Sequence, residues 1–311
     1  MIRSIVVPLD GSELSEQALP LAFRFAESLG ATVHIAHVFV PRLDASPRAE
    51  ELDAEATGYR EQEEDARRYL NDVRARYCVA ATGRATFDLI RGRPTAGRRG
   101  GTAAVVMALR RYASQRRADL IILTSHGRGG IDRAWLGSVT DRLVRRARVP
   151  VLVVRASVEP GATDLEHVLI PLDGSPLAEQ IAPLAFGLAG MAGARVTLLR
   201  VIAPRQSLAR PAPVARMDIA DLARQREEAE SYLATALSAA PSEPRTREAA
   251  VVSDVNPARA IITFAESHGV DVIAMTTHGR GGFNRMLTGS VADKVLRGAS
   301  ANVLIHRPRP V

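Results

Sequence analysis

Two glycine-rich segments, residues 126–138 and 278–290, carry the residue pattern best suited to ligand chemistry. In each one, nine residues separate a His-Gly step from a Gly-Ser step. Glycine lets backbone N–H groups approach an anion, and a helix that begins at the serine adds free N–H groups and its dipole. The pattern indicates a phosphate-binding loop, although a plain helix start with a capping box would use the same residues. The candidate contacts are His126, Gly127, Arg128, Gly137, Ser138, His278, Gly279, Arg280, Gly289 and Ser290.

Asp10 and Asp173 form a second pair of candidates, and each lies in the sequence Pro-Leu-Asp-Gly-Ser after an apolar run. A carboxylate at this point would contact a ribose hydroxyl or a hydrated Mg²⁺ beside phosphates. The structural alternative is an Asx turn that leads into the next helix, because Asp-Gly-Ser favours turns in any protein.

Several common kinds of active site are missing from the sequence. It has no Gly-x-x-x-x-Gly-Lys-Ser/Thr phosphate loop and no Gly-x-Ser-x-Gly nucleophile elbow. Lys294 is the only lysine among 41 basic residues, so two sites cannot both depend on lysine chemistry. The single cysteine, Cys78, excludes a disulfide framework and a cysteine-based metal site. We therefore expect no dedicated catalyst.

The chain is an internal repeat. Residues 5–23 and 168–186 are identical at 12 of 19 positions. Residues 124–139 and 276–291 form a second repeated block, which contains the glycine-rich segments. Both kinds of candidate residue therefore occur twice, in the same order.

The two repeated blocks also define the domains. The copies are offset by 163 residues in the first block and by 152 in the second, so the first half carries about eleven extra residues between the blocks. Composition assigns them to an Arg/Gly-rich loop at 92–102. A polar stretch with Pro and Gly, residues 157–164, separates the halves. We predict one domain over residues 1–156 and another over residues 165–311.

Each half alternates five strands with helices. Short apolar strands such as LIIL and VIAM are typical of strands buried on both faces. This indicates an α/β fold with a parallel sheet and helices on both sides. The first helix of each half is predicted over residues 13–29 and 176–192, with Ser12 and Ser175 as N-caps.

This fold class brings the candidate residues together. Ligands of such sheets bind beyond the carboxyl ends of the strands, where the strand order reverses. Asp10 and Asp173 follow the first strand of their halves, and the glycine-rich segments follow the fourth. We expect one crevice per half, lined by both motifs.

Charge and hydropathy limit the partners. The net charge is +7, but residues 49–66 hold eight acids and one arginine, while residues 91–117 hold eight arginines and no acid. The two stretches can neutralise each other, and aromatic residues are too few for base stacking, so we expect no specific nucleic-acid partner. No apolar run reaches the roughly 20 residues that span a bilayer, and the N-terminus does not resemble a signal peptide. We expect a cytoplasmic protein without a membrane partner.

The Pro-Leu-Asp-Gly-Ser segment, a hydrophobic second strand and the HGRGG…GSV segment together resemble the universal stress protein family. The resemblance covers nearly the whole chain as two tandem copies. It implies two Rossmann-like domains of the adenine nucleotide alpha hydrolase-like type, each with a five-stranded parallel sheet of order 3-2-1-4-5. For the ATP-binding branch of the family it also implies ATP, held by a Gly-x-x-Gly-(nine residues)-Gly-Ser/Thr motif.

The resemblance extends to single residues. It implies that Asp10 and Asp173 lie near the ribose and the phosphates, and that the backbone of Val38 and Val201 meets adenine. One departure occurs in both copies, because Thr124 replaces the first glycine of the motif. The remaining positions that match the family's phosphate loop are Gly127, Gly137, Ser138 and Val139 in the first copy, and Gly279, Gly289, Ser290 and Val291 in the second, where Thr276 is the equivalent of Thr124.

Three functions follow from these expectations. The leading hypothesis is an ATP-binding stress protein with two nucleotide sites, which acts as a nucleotide-dependent switch or scaffold for an unknown protein partner. The alternatives are a nucleotide-free interaction module of the same fold and a slow ATPase. The similarity of the halves also predicts that they pair as an internal pseudo-dimer, and leaves a further homodimer open.

Overall fold

The computed structural model describes residues 2–41, 52–77, 84–93, 100–125, 136–155, 165–203, 219–242, 244, 246–277 and 289–307. The chain divides into two compact units, Met1–Thr163 and Asp164–Val311.

Unit 1 is a five-stranded parallel α/β fold. Its strands lie in the order β3-β2-β1-β4-β5, and each neighbouring pair is parallel. Strand β4, which lies between β1 and β5, is buried along its whole length, as its apolar sequence predicted. In chain order the elements are β1 (Ser4–Leu9), α1 (Glu13–Glu16), α2 (Ala18–Leu29), β2 (Thr32–Phe39), α3 (Leu52–Tyr77), β3 (Ala85–Arg91), α4 (Gly100–Gln115), β4 (Leu120–Thr124), α5 (Ser138–Arg146) and β5 (Val151–Val154).

Unit 2 repeats this architecture. Its strands lie in the order β8-β7-β6-β9-β10 and are again parallel. The predicted α/β fold and strand order are therefore confirmed in both halves. Its elements are β6 (His167–Pro171), α6 (Pro176–Glu179), α7 (Ala182–Ala192), β7 (Arg195–Ile202), α8 (Ile219–Ala239), β8 (Arg247–Ser253), α9 (Pro257–Ser267), β9 (Val272–Thr276), α10 (Ser290–Gly298) and β10 (Asn302–His306).

The first helix of each half is not continuous, which corrects the prediction of single helices over 13–29 and 176–192. A break separates α1 from α2, and another separates α6 from α7. Pro20 and Pro183 explain the breaks, because proline has no N–H for the i→i−4 hydrogen bond and its ring clashes with that carbonyl. The predicted N-caps Ser12 and Ser175 are confirmed, since each hydroxyl accepts a backbone N–H three residues later.

Helices cover both faces of the sheet in each unit. In unit 1, His34 of β2 contacts Tyr112 of α4, whereas His37 of the same strand contacts Tyr69 of α3. Residues three apart on a strand point to opposite faces. The helices α3 and α4 therefore lie on opposite sides of β2.

Equivalent aspartates tie the strand starts together in the two units. The Asp119 carboxylate accepts the backbone N–H of Arg3, just before β1, at 2.8 Å and that of Ser4, the first residue of β1, at 3.1 Å. In unit 2, the Asp271 carboxylate accepts those of Glu166 and His167, each at 2.8 Å. These hydrogen bonds fix the register of β1 relative to β4 and of β6 relative to β9, and so align the carboxyl ends of the strands.

Among the described residues of the acidic and basic stretches, an ion pair joins the two. Arg91 donates to both carboxylate oxygens of Glu63 at 2.8 Å. Charge compensation within the unit therefore occurs at this pair. Within the described ranges, no helix combines the length and the hydropathy needed to cross a membrane.

Two buried histidines predict pH-dependent stability. Burial lowers the pKa of His34, and the positive charge of Arg116 lowers it further. Burial likewise lowers the pKa of His167, whose ring nitrogens contact the Thr197 hydroxyl and the His268 carbonyl. Because these pKa values lie below those of the unfolded chain, the stabilisation is complete above a pH of about 6.5 and is lost as the pH falls.

We therefore expect urea to unfold the chain more easily at a pH of about 5.5 than at about 7.5. The variant with both His34→Gln and His167→Gln is the control, because it lacks the two titrating rings. Its free energy of unfolding should fall less steeply over this range. Equal slopes in the two proteins would rule out the histidines as the cause.

Candidate functional site

The aspartates at the ends of β1 and β6 make the same contacts in both units. The Oδ1 atom of Asp10 accepts the backbone N–H of Ser12 at 3.0 Å and its hydroxyl at 2.6 Å. Asp173 accepts the same two groups of Ser175 at 3.0 and 2.6 Å. The Asx turn that the sequence offered as an alternative is therefore present. Asp10 is exposed and Asp173 half-buried, so both carboxyl groups also remain within reach of a solute.

The sheet register brings the other strand-end candidates beside these aspartates. Leu9 lies opposite His37, so Asp10 and Val38 follow at the same level. The β1–β4 register puts Thr124 level with Leu9, and its side chain is buried. The equivalent residues of unit 2 are Asp173, Val201 and Thr276. These strand-end residues therefore lie at one level at the carboxyl end of each sheet.

Each glycine-rich segment is described only at its carboxyl end, residues 136–138 and 289–290. The N–H of Gly137 donates to the carbonyl of Ser125 at 2.9 Å, and the N–H of Gly289 donates to that of Thr277. Ser125 and Thr277 are fully buried. The Gly-Ser step of each motif is therefore anchored directly beside the end of β4 or β9. The candidates His126, Gly127, Arg128, His278, Gly279 and Arg280 lie outside the described residues.

The alternative interpretation, in which Ser138 and Ser290 begin capping boxes, is wrong. The N-caps are Gly137 and Gly289, neither of which provides a side-chain cap, while Ser138 and Ser290 are the first helical residues. A serine inside the first turn cannot cap it, because the N-cap residue must have non-helical backbone angles.

This start leaves the N-terminus of each helix open to a ligand. The first N–H groups of a helix have no acceptor within the helix, and the N-cap glycines of α5 and α10 provide no side chain to bind them. The hydroxyl-bearing Ser138 and Ser290 are exposed there, with Val139 and Val291 half-buried behind them. Such a terminus attracts a negatively charged group.

The two copies differ at the third residue of the helix that follows the glycine-rich segment, which is Thr140 in unit 1 and Ala292 in unit 2. The Thr140 hydroxyl donates to the carbonyl of Thr124 at 3.1 Å and is buried. Unit 2 has Ala292 at this position and lacks that bond. The exchange therefore removes a tie between the strand end and the helix, rather than a hydroxyl directed at a ligand.

A side-chain cluster beside Asp10 was missed by the sequence reasoning. The Nδ1 atom of His37 lies 3.0 Å from the carbonyl of Leu9, and its ring packs on Tyr69 at 5.4 Å. Glu16, almost completely buried, is paired with Arg76 at 2.9 Å. Burial raises the pKa of Tyr69, and the charge of Glu16 raises it further. The carbonyl just before Asp10 is thus contacted by His37 of β2, whose ring packs in turn on Tyr69 of α3.

Unit 2 contains a related cluster with two changes of charge, because Arg200 is the equivalent of His37 and Ala239 the equivalent of Arg76 at the 163-residue offset. Arg200 donates to the Leu172 carbonyl at 3.1 Å and lies over the Tyr232 ring at 5.7 Å. The Tyr232 hydroxyl donates to Glu179 at 2.7 Å, and burial together with this bond raises the pKa of Tyr232. A permanent cation therefore replaces His37 next to the second aspartate.

A signal for this cluster was present in the sequence. Glu16 and Glu179, and likewise Tyr69 and Tyr232, are separated by the same 163 residues that align the Asp-Gly-Ser segments. Their proximity to the aspartates depends on the packing of α3 and α8 against the sheet, which the sequence did not reveal.

The donor set suits Mg²⁺ only together with a ligand. Within the described residues, no group of three or more His, Cys, Asp or Glu side chains could hold a metal ion. Asp10 and Asp173 each provide a single carboxylate. That number fits an Mg²⁺ ion that is carried mainly by phosphates and waters.

The comparisons identify the family. The sequence model of the universal stress protein family matches residues 1–155 and 165–307. The chain belongs to the universal stress protein family, as a tandem member with two such domains.

Relatives and solved structures agree with this assignment. A universal stress protein of Mycobacterium tuberculosis is 33% identical over 61% of this chain and 62% of its own length, so the matched part of the chain spans less than two thirds of that relative. One from Mycolicibacterium smegmatis is 26% identical over 98% of this chain and 97% of that protein. The structure of a universal stress protein from Archaeoglobus fulgidus has the same fold, with a TM-score of 0.67, 19% identity and 98% coverage of both chains. A universal stress protein in complex with cAMP matches 50% of this chain and 99% of its own, at 27% identity and a TM-score of 0.36.

Proposed function

We propose that the chain is an ATP-binding universal stress protein with one nucleotide site in each domain. This proposal rests on an arrangement of residues that occurs in both units. At the carboxyl end of each sheet, an aspartate and an open helix N-terminus preceded by glycine lie at adjacent strand ends. These groups complement the ribose and the phosphates of a nucleotide.

Each group has a distinct task in this proposal. The N–H groups and hydroxyl at Ser138 or Ser290 bind phosphate oxygens, and the glycine-rich segment lets further N–H groups approach. Asp10 or Asp173 binds a ribose hydroxyl or a water of Mg²⁺, which neutralises phosphate charge when it is bound. The backbone at Val38 or Val201 meets adenine, as the family resemblance implies.

We assign the protein the role of a cytoplasmic nucleotide-dependent switch or scaffold. Asp10 and Asp173 already accept the hydroxyl of a serine in the following turn, and in this proposal they position the ligand. Binding without efficient turnover suits a switch, since the ligand then changes the population of a protein state. In the same proposal the two domains pair as an internal pseudo-dimer.

Mass spectrometry of the small molecules released on denaturation tests this function. We expect an adenine nucleotide from protein that was purified without added ligand. Release of no nucleotide, combined with no uptake of added ATP, would favour the nucleotide-free interaction module. Multiple turnovers that disappear in Asp10→Ala with Asp173→Ala would favour the slow ATPase.

A further inference from the structure

The helices α5 and α10 carry an equivalent cation one turn after their first residue. Arg142 lies four residues after Ser138, and Lys294 lies four residues after Ser290, at the 152-residue offset of the second repeated block. Residues four apart on a helix share a face, and helical side chains lean toward the N-terminus of their helix. Each cation is therefore directed over the turn that begins at the exposed serine.

This cation does not stabilise its own helix. The N-terminus of a helix carries a partial positive charge, which repels a lysine or an arginine in the neighbouring turn. Among the described residues, neither Arg142 nor Lys294 has an ion-pair partner. A bound anion would complement both. The acids of the first turns are already paired with the arginines that follow them by four residues, Asp141 with Arg145 at 2.9 Å and Asp293 with Arg297 at 3.0 Å.

In unit 2 the cation borders a groove between α9 and α10. The groove has a volume of about 250 Å³, and its walls include Asn256, Arg259, Thr263 and Lys294. Asp254 orients the guanidinium of Arg259, because the carboxylate accepts two of its N–H groups at 2.7 and 3.1 Å. The groove thus combines the ammonium of the lysine with an amide, a guanidinium and a hydroxyl, all of which can donate to an anion.

In unit 1 the neighbouring helix also supplies a hydroxyl beside the serine. The Oγ1 atom of Thr102, near the start of α4, lies 3.4 Å from the Oγ atom of Ser138. The turn over which Arg142 is directed therefore has a second hydroxyl next to it. Both units consequently gather donors on the same side of the helix N-terminus.

We propose that Arg142 and Lys294 bind the outermost phosphate of the nucleotide, so that both sites select a triphosphate over a monophosphate. This inference rests on the proposed function, because it adds one contact to the same two sites. The N–H groups at Ser138 or Ser290 hold the phosphate nearest the ribose. The cation, whose Cα atom lies about 6 Å further along the helix, meets the far end of the phosphate chain. Lysine and arginine bind phosphate oxygens through charge-assisted hydrogen bonds, and AMP has no group at that end.

Titration calorimetry of the intact chain with ATP and with AMP, each with Mg²⁺, tests this selection. We expect the wild type to bind ATP at least about tenfold more tightly than AMP, because only ATP reaches the cations. Arg142→Gln with Lys294→Gln should weaken ATP binding about five- to twentyfold and should change AMP binding by less than about twofold. The ratio of the two affinities is the decisive quantity, since a general loss of structure would weaken both nucleotides.

Two control variants accompany this experiment. Arg142→Lys with Lys294→Arg keeps both charges and should keep the preference for ATP. Arg3→Gln with Arg195→Gln removes the same charge next to β1 and in β7 at their amino ends, the opposite edge of each sheet, and should also keep it. An unchanged affinity ratio in the glutamine variant at the helices, equal weakening of both nucleotides, or the same loss in the amino-end control would overturn the proposal. Binding of neither nucleotide by the wild type would instead overturn the proposed function on which it rests.

Inorganic tripolyphosphate tests the same cations without a base or a ribose. We expect it to raise the melting temperature of the wild type, because it binds only the folded state. The rise should be smaller in Arg142→Gln with Lys294→Gln, whose melting temperature without ligand reports whether the variant is folded. No rise in the wild type, or an equal rise in both proteins, would overturn the proposal.

Discussion

Replacement of Gly127 and Gly279 with valine should abolish the rise in melting temperature that ATP with Mg²⁺ produces in the wild type. A ligand that binds only the folded state stabilises it by about 2.7 kcal/mol at one hundred times its dissociation constant. For domains of this size that corresponds to a rise of roughly 5–10 °C. A valine side chain would keep the loop backbone from the phosphates, because only glycine permits that approach.

The control for this experiment is Gly101→Val with Gly187→Val. These glycines lie in α4 and α7, one in each domain, and a Cβ atom added at either meets no atom within 4 Å. The control should lose some stability from helix propensity but keep the full ATP-dependent rise. If the Gly127/Gly279 variant keeps the rise as well, the phosphate-loop assignment is wrong.

Separation of the domains should have the other large effect. Expressed alone, residues 1–156 and residues 165–311 should each dimerise or aggregate. The physical reason is that β5 and β10, the last strands of their sheets, are strongly apolar, and an uncovered apolar edge pairs with another chain. Light scattering and sedimentation of the separate halves measure this.

Co-expression of the two halves is the matched control. If the halves pair as a pseudo-dimer, they should purify together as a soluble one-to-one complex. Soluble monomeric halves that each unfold at the melting temperature of the intact chain would contradict the internal pseudo-dimer.

The fold could be predicted from the sequence because the sequence contains its main motifs twice. Two copies of the apolar runs and of the Asp-Gly-Ser turn gave the strand order through the family resemblance, and the structure agrees in both units. Local detail was less predictable. The break after α1 depends on a single residue, Pro20, whose effect is felt four positions earlier at Glu16. Whether Ser138 caps the helix or begins it depends on one pair of backbone angles at Gly137.

The parts of the site that consist of consecutive residues could be predicted from the sequence. The parts that form when separate elements pack together could not. Asp10 and Gly137 belong to short motifs, so their positions at strand ends followed from topology. The contact between His37 and Tyr69 depends on side chains that meet across elements. In the sequence, such residues can be recognised only because they recur at the same offset in both halves. The offset identifies equivalent positions but not the residues that contact them.

Equilibrium dialysis of the intact chain against labelled ATP with Mg²⁺ tests the central claim most directly, because it counts bound nucleotide. Two domains with the same strand-end arrangement should give saturable binding that approaches two ATP per chain, and Asp173→Ala should remove one of the two. The absence of bound nucleotide at millimolar ATP would contradict the account.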